Sequence, residues 1–82
     1  LALSGDSASW TFAGTAPYGF KLVMNTTVSP TYQNSPYKKF TDGNSTDLPD
    51  GLTSGTTYYV RVCKYTEGDC VDYSNELTYI AP

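Results

Sequence analysis

The chain reads as one all-β domain, and three observations point there. Of its 82 residues 39% are hydrophobic and 15% aromatic, with eight Tyr, a content far too apolar for a disordered segment. Only 16% are charged, and Ser, Thr and Asn carry much of the remaining polarity, which suits strands and turns better than the Glu-, Lys- and Arg-rich faces of surface helices. Turn signals recur roughly every ten residues, and the segments between them alternate apolar and polar with period two. A chain this short sits near the lower limit of independent folding, where one covalent staple or an assembly partner matters greatly.

Taken in order, Ser7-Ala-Ser-Trp-Thr-Phe12 puts Ala8, Trp10 and Phe12 on one face, and Gly14 to Gly19 is a loop. Phe20-Lys-Leu-Val-Met24 turns Phe20, Leu22 and Met24 inward, and its apolar density predicts a central strand. Asn25 to Pro36, with two prolines among Ser, Thr and Asn, is a long irregular connection. Tyr37 to Thr41 is a short edge strand whose Lys38 and Lys39 discourage edge-to-edge pairing. Thr41 to Gly51 is loop-rich, with a brief strand around Ser45–Leu48. Thr56 to Lys64 places Tyr58, Val60 and Val62 on one face and Tyr59, Arg61 and Cys63 on the other. Val71 to Tyr79 answers it, with Val71, Tyr73, Leu77 and Tyr79 in phase. The expected core is therefore built around Trp10, Phe12, Phe20, Leu22, Val60, Val62, Val71 and Tyr73.

Cys63 and Cys70 could form a disulfide, half of a metal site or two free thiols. With no His and no third Cys, zinc lacks ligands, and a redox pair is more often Cys-x-x-Cys. A disulfide is therefore expected, and it implies an oxidising, extracellular location. A four-residue loop, Tyr65-Thr-Glu-Gly68, would set Lys64 opposite Asp69, Cys63 opposite Cys70, Val62 opposite Val71 and Val60 opposite Tyr73. A one-residue slip would break this agreement of cysteines, apolar faces and charges. The staple would then lie on the outer sheet face, since Val60 and Val62 claim the inner one.

Charge narrows the function. With five basic residues and a net charge of −3, the chain lacks the basic footprint of a nucleic-acid binder or of an anionic membrane surface. No stretch approaches the roughly 18 apolar residues of a membrane span, so no membrane insertion is expected. Starting at Leu1 without a signal peptide, the chain reads as a mature product or an excised piece. Without His, and with both Cys oxidised, Ser/His and Cys/His catalysis is excluded. The acids Asp42, Asp47, Asp50, Glu67, Asp69 and Asp72 fall in turns or on outward phases rather than as an inward pair, so no enzyme and no cofactor is expected.

Four weaker signals remain. Thr41-Asp-Gly-Asn-Ser-Thr-Asp47 offers alternating oxygens from Asp42, Asn44 and Asp47, as a calcium loop begins, but lacks the closing Glu and reads equally as a self-capped turn. Asn25-Thr-Thr27 and Asn44-Ser-Thr46 match the N-glycosylation acceptor pattern. Tyr18, Tyr32, Tyr37, Tyr59 and Tyr65, in loops or on outward phases, are candidate ligand or partner contacts that could stack on sugars. Glu67-Gly-Asp69 reads as a turn.

The stretch Leu52-Thr-Ser-Gly-Thr-Thr-Tyr-Tyr-Val-Arg-Val62 resembles the corner and following strand of fibronectin type III domains, with Tyr58 at the position of the tyrosine corner. Ser9-Trp-Thr11 and Gly19-Phe-Lys-Leu-Val23 are similar to the family's tryptophan-bearing second strand and its third strand. Together with the Tyr-Tyr-Val-Arg-Val-Cys63 strand and Tyr73-Ser-Asn75, they resemble modules repeated in bacterial secreted and surface proteins. The resemblance implies a small Greek-key β-sandwich, immunoglobulin-like in its broader class, with a first strand shortened to Leu1-Ala-Leu3. It implies a non-catalytic spacer or adhesion module whose partners are neighbouring domains of the same protein. Two other readings stay in view: a subunit that assembles with identical copies into a filament or surface layer through an added strand, and a carbohydrate-binding module for glycans.

Overall fold

The computed structural model describes residues 1–82 as eight strands. They are β1 (Ala2–Ser4), β2 (Ser7–Ser9), β3 (Phe20–Asn25), β4 (Tyr37–Thr41), β5 (Ser45–Asp47), β6 (Thr57–Thr66), β7 (Asp69–Val71) and β8 (Leu77–Ile80). The fold is all-β and sandwich-like, with two antiparallel sheets. The smaller has the order β1-β2-β5; in the larger, β4-β3-β6 continues into β7 and β8, which share the far edge of β6.

The alternation read from sequence builds the core between these sheets. Phe20, Leu22 and Met24 of β3 and Tyr58, Val60 and Val62 of β6 meet Ala8, Trp10, Leu48 and Ala81 in one buried cluster. Phe20 is the hub of its aromatic part, with Trp10 and Phe12 set edge-on at centroid distances of 5.6 and 5.4 Å. β2 ends at Ser9, so Trp10 and Phe12 lie beyond the strand, not within it. Trp10 is held instead by its backbone N–H, which donates to the Asn44 carbonyl at 2.9 Å.

The last third departs from expectation in register. β6 runs on to Thr66, and only Glu67 and Gly68 make the turn, with Gly68 supplying the positive φ of 97°. Lys64 therefore faces Val71, Tyr65 faces Cys70 and Thr66 faces Asp69. Cys63 does not stand opposite Cys70 but diagonally across from it, and the disulfide forms over a Cα separation of 5.6 Å. Val71 leaves the expected core: it pairs with Lys64 past the end of the apolar cluster and is exposed. Lys64 places its ammonium over the Phe12 ring at 5.6 Å.

Tyr73 leaves the core too, because the second half of the hairpin is two strands rather than one. At Asp72 the backbone turns to a φ of 54°. Ser74 then plugs the gap in the ladder: its N–H donates to the Val62 carbonyl at 2.8 Å, and its hydroxyl accepts from the Val62 N–H at 3.0 Å. β8 resumes pairing with Leu77 opposite Val60 and Tyr79 opposite Tyr58, and Tyr79 packs on the core. Between these strands Tyr73 faces the other side of the sheet, its ring 4.2 Å from the Arg61 guanidinium carbon.

That other side is not left to solvent. Val23 is fully buried, and Cys63 and Cys70 are buried with it, although all three lie on the sheet face opposite the main core. Residues 26–36 strap across this face. Arg61 donates from Nε and Nη2 to the Pro30 carbonyl at 3.0 and 2.6 Å. The Tyr73 hydroxyl accepts from the Tyr32 N–H at 2.8 Å, and Asn25 donates to the Asn34 carbonyl at 2.9 Å. The staple is thus on the outer face, but beneath a cover.

Candidate functional site

The outward phases of β3, β4 and β6 converge, at the end nearest the β6–β7 turn, on Lys21. Its neighbours in the ladder are Phe40 on one side and Cys63 on the other. The Lys21 ammonium lies 5.4 Å from the Tyr32 ring centroid, 5.2 Å from that of Phe40 and 4.9 Å from that of Tyr65. Tyr32 and Tyr65 meet edge to face at 5.5 Å, and Lys38 brings a second ammonium to 5.6 Å from Tyr32. The rings present electron-rich faces to the cations, the geometry of cation–π attraction. Tyr32 and Tyr65 are half-buried, whereas Phe40 is 53% exposed.

Local backbone holds this cluster in place. Gly19 has a φ of 76°, and a Cβ there would come within 2.7 Å of the Thr41 carbonyl oxygen and 2.9 Å of the Phe40 ring. A glycine is what lets Phe40 lie against the β3 entry. The Gly19 carbonyl also accepts from the Tyr65 N–H at 2.9 Å, tying Tyr65 to the same corner. Tyr32 rides on the strap, fixed through Tyr73 and the neighbouring Pro30–Arg61 contact.

Of the five tyrosines proposed as contacts, the structure brings together Tyr32 and Tyr65. Tyr18 is exposed in the loop before β3, and Tyr59 lies half-buried at the other end of the outer face, between Asn25 and Thr78. Tyr37 does not point outward. It stands opposite Met24 on the inner phase and packs edge-on against Tyr58 at 5.5 Å. Sequence reasoning missed Lys21 and Phe40. Their signal was the alternation itself, which puts Lys21 opposite in phase to Phe20 and Leu22, with Phe40 one residue beyond the lysine pair.

Tyr58 anchors the other end of β6, accepting from the Thr53 N–H at 2.8 Å. That donor holds the Tyr58 phenol below its ordinary pKa, and the Tyr58 hydroxyl in turn raises that of Tyr37. The two glycosylation acceptors differ. The Asn25 amide is engaged at both ends, donating to Asn34 and accepting from the Thr26 N–H at 2.7 Å, while Asn44 is exposed at the β4–β5 turn. The calcium candidates are not gathered into a cage: Asp47 lies in β5 and accepts from the Ser7 hydroxyl at 3.3 Å. No three His, Cys, Asp or Glu side chains are grouped to hold a metal.

A polar groove of about 440 Å³ lies along β2 and β5, lined by Ser7, Ser9, Lys39, Ser45, Thr46 and Asp47. It has hydroxyls but no aromatic floor, unlike the Lys21 cluster. No helix is long and apolar enough to cross a membrane. Two sheets closed over one apolar core, with a disulfide beneath a strap, define the class as a small disulfide-stapled all-β module. No protein-family model, curated protein or solved structure matches the chain.

Proposed function

We propose that the chain is a non-catalytic extracellular adhesion module of fibronectin type III-like kind, one unit of a longer secreted or surface protein. The observation that carries this is the outer face of the larger sheet: exposed Phe40 and half-buried Tyr32 and Tyr65 gathered around Lys21 on a platform stiffened by the strap and the disulfide. Rigid aromatic side chains beside adaptable polar groups are what recognition surfaces use, since they give contact area at small entropic cost. The strand order β1-β2-β5 against β4-β3-β6-β7 supports the Greek-key topology that the resemblance implies. The Tyr58–Thr53 hydrogen bond supports the tyrosine-corner assignment.

Such a module is a monomer that remains soluble at high concentration and loses binding to its surface or matrix when Phe40 is replaced by Ala. Ordered polymers in light scattering would refute it. One observation favours assembly as the second reading: β8 pairs with β6 alone, and its Ile80 is 66% exposed at that free edge. An apolar side chain on an unpaired edge invites strand addition from another copy.

A further inference from the structure

We infer that the Lys21 cluster binds a polysaccharide whose sugars carry carboxylates, an inference that rests on the adhesion reading. The first argument is charge. Eight carboxylates outnumber five cations in this chain, yet Lys21, Lys38 and Arg61 share the outward phase of one sheet. Arg61 is committed to the Pro30 carbonyl. Lys21 and Lys38 both bring their ammonium groups to the Tyr32 ring, at 5.4 and 5.6 Å. Ring faces accept none of an ammonium's three N–H donors as an oxygen would, so both cations keep those donors for an external acceptor. A carboxylate supplies that acceptor together with the opposite charge.

The second argument is shape. Beside these ammoniums stands Phe40, 53% exposed, its ring already against Lys21 at 5.2 Å. A flat, exposed aromatic face matches the C–H-rich face of a pyranose ring, and a cation next to it matches a carboxylate on that ring. An acidic peptide supplies the carboxylates without the flat face, and a neutral sugar supplies the face without the charge. Tyr32 and Tyr65 are half-buried, edge to face with each other, and both lie beside Lys21, which leaves Phe40 as the exposed stacking surface.

The test is affinity electrophoresis and calorimetry of the whole chain against polygalacturonate, with its methyl ester, dextran and polyglutamate as comparisons. Binding to polygalacturonate alone is expected, weakening as salt rises. Lys21→Met and Phe40→Ala should each raise Kd about tenfold or more. Lys38→Met should raise it less, and Lys39→Met, on the other phase of β4, should leave it unchanged. Melting curves of each variant separate loss of contact from loss of fold, and Lys38→Met keeps the inference testable should Lys21→Met unfold. Equal binding to polyglutamate would overturn the inference in favour of an acidic protein partner while leaving the adhesion reading intact. So would equal binding to the methyl ester or dextran, or the absence of binding by a folded monomer. Ordered polymers of the chain would instead overturn the adhesion reading itself.

Discussion

Replacing Arg61 with Met tests how the outer face is built. Met keeps most of the aliphatic stem and removes the fork that donates to the Pro30 carbonyl at 3.0 and 2.6 Å. It also removes the cation stacked 4.2 Å above Tyr73. A charged hydrogen bond to a carbonyl contributes about 1.5–3 kcal/mol, and a partly exposed cation–π contact about 0.5–1 kcal/mol. Because Arg61 is only half-buried, the lower part of that sum applies, about 2–3 kcal/mol. Urea unfolding should show that loss as a lower midpoint with an unchanged slope, since the surface exposed on full unfolding is the same. A second readout is sharper. The Cys63–Cys70 bond is buried, so a reductant must wait for an opening, and the strap bonded to the neighbouring Arg61 and Tyr73 is the segment whose lifting would uncover it. Weakening the clamp by 2 kcal/mol or more should therefore speed native-state reduction by dithiothreitol about thirtyfold or more. Arg61→Lys keeps the charge but not the fork and should fall between. If Arg61→Met unfolds within about 0.5 kcal/mol of the parent and its disulfide is reduced no faster, the guanidinium does not hold the strap.

Three further outcomes are expected. Reducing the disulfide, which closes a loop with a sequence separation of 7, should cost about 2.5 kcal/mol and lower the melting temperature by about 10–20 °C with the β-sheet signal retained in circular dichroism; an unchanged melting point would show the bridge idle. Gly19→Ala forces a Cβ to within 2.7 Å of the Thr41 carbonyl oxygen at a φ of 76°, and should destabilise by more than about 1 kcal/mol in thermal unfolding; a neutral result would mean this corner is soft. Expressed through a eukaryotic secretory pathway, the chain should carry glycan at Asn44, whose side chain is exposed, and little at Asn25, whose amide is bonded at both ends. Peptide mass mapping decides it, and modification of Asn25 at an equal level would contradict the engaged geometry.

What sequence made legible is what period-two alternation can detect. Phe20, Leu22 and Met24 and then Tyr58, Val60 and Val62 declared their faces, and the cysteines paired by elimination of other chemistry. The hairpin register was not legible for a definite reason. A four-residue turn and the observed Glu67-Gly68 turn differ by two positions in pairing, and a slip of two preserves every side chain's face. Both turns also place the cysteines on one side of the sheet. Tyr73 was misplaced because alternation assumes an unbroken strand, whereas the turn at Asp72 and the Ser74 plug reset the phase. Tyr37 begins a strand whose next two residues are both lysine, so its face could not be read from its neighbours. In the candidate site, Tyr32 and Tyr65 are legible as tyrosines in a loop or on an outward phase. The cluster's centre, Lys21, looked like an ordinary outward residue because what surrounds it comes from β4, β6 and the strap.

On the proposed adhesion reading, the strap links stability to recognition. In a bare sandwich, Val23, Arg61 and Cys63 would face water; here their cover is a segment rich in Pro, Ser, Thr and Asn that has few apolar side chains to hold it down and leaves Val28 exposed. It is held instead by a few specific hydrogen bonds, at Pro30 and at the Tyr32 N–H. The same segment delivers the Tyr32 ring to Lys21, Lys38 and Tyr65. Anything that lifts the strap must then scatter the aromatic cluster, even from a residue outside that cluster. Arg61→Met should accordingly weaken ligand binding although Arg61 donates only to Pro30 and stacks only on Tyr73. It should do so in proportion to the fraction of molecules with the strap raised, as read from disulfide reduction. Full binding by a variant whose disulfide has become freely reducible would separate the two roles and place the binding surface on Phe40 and the strands alone.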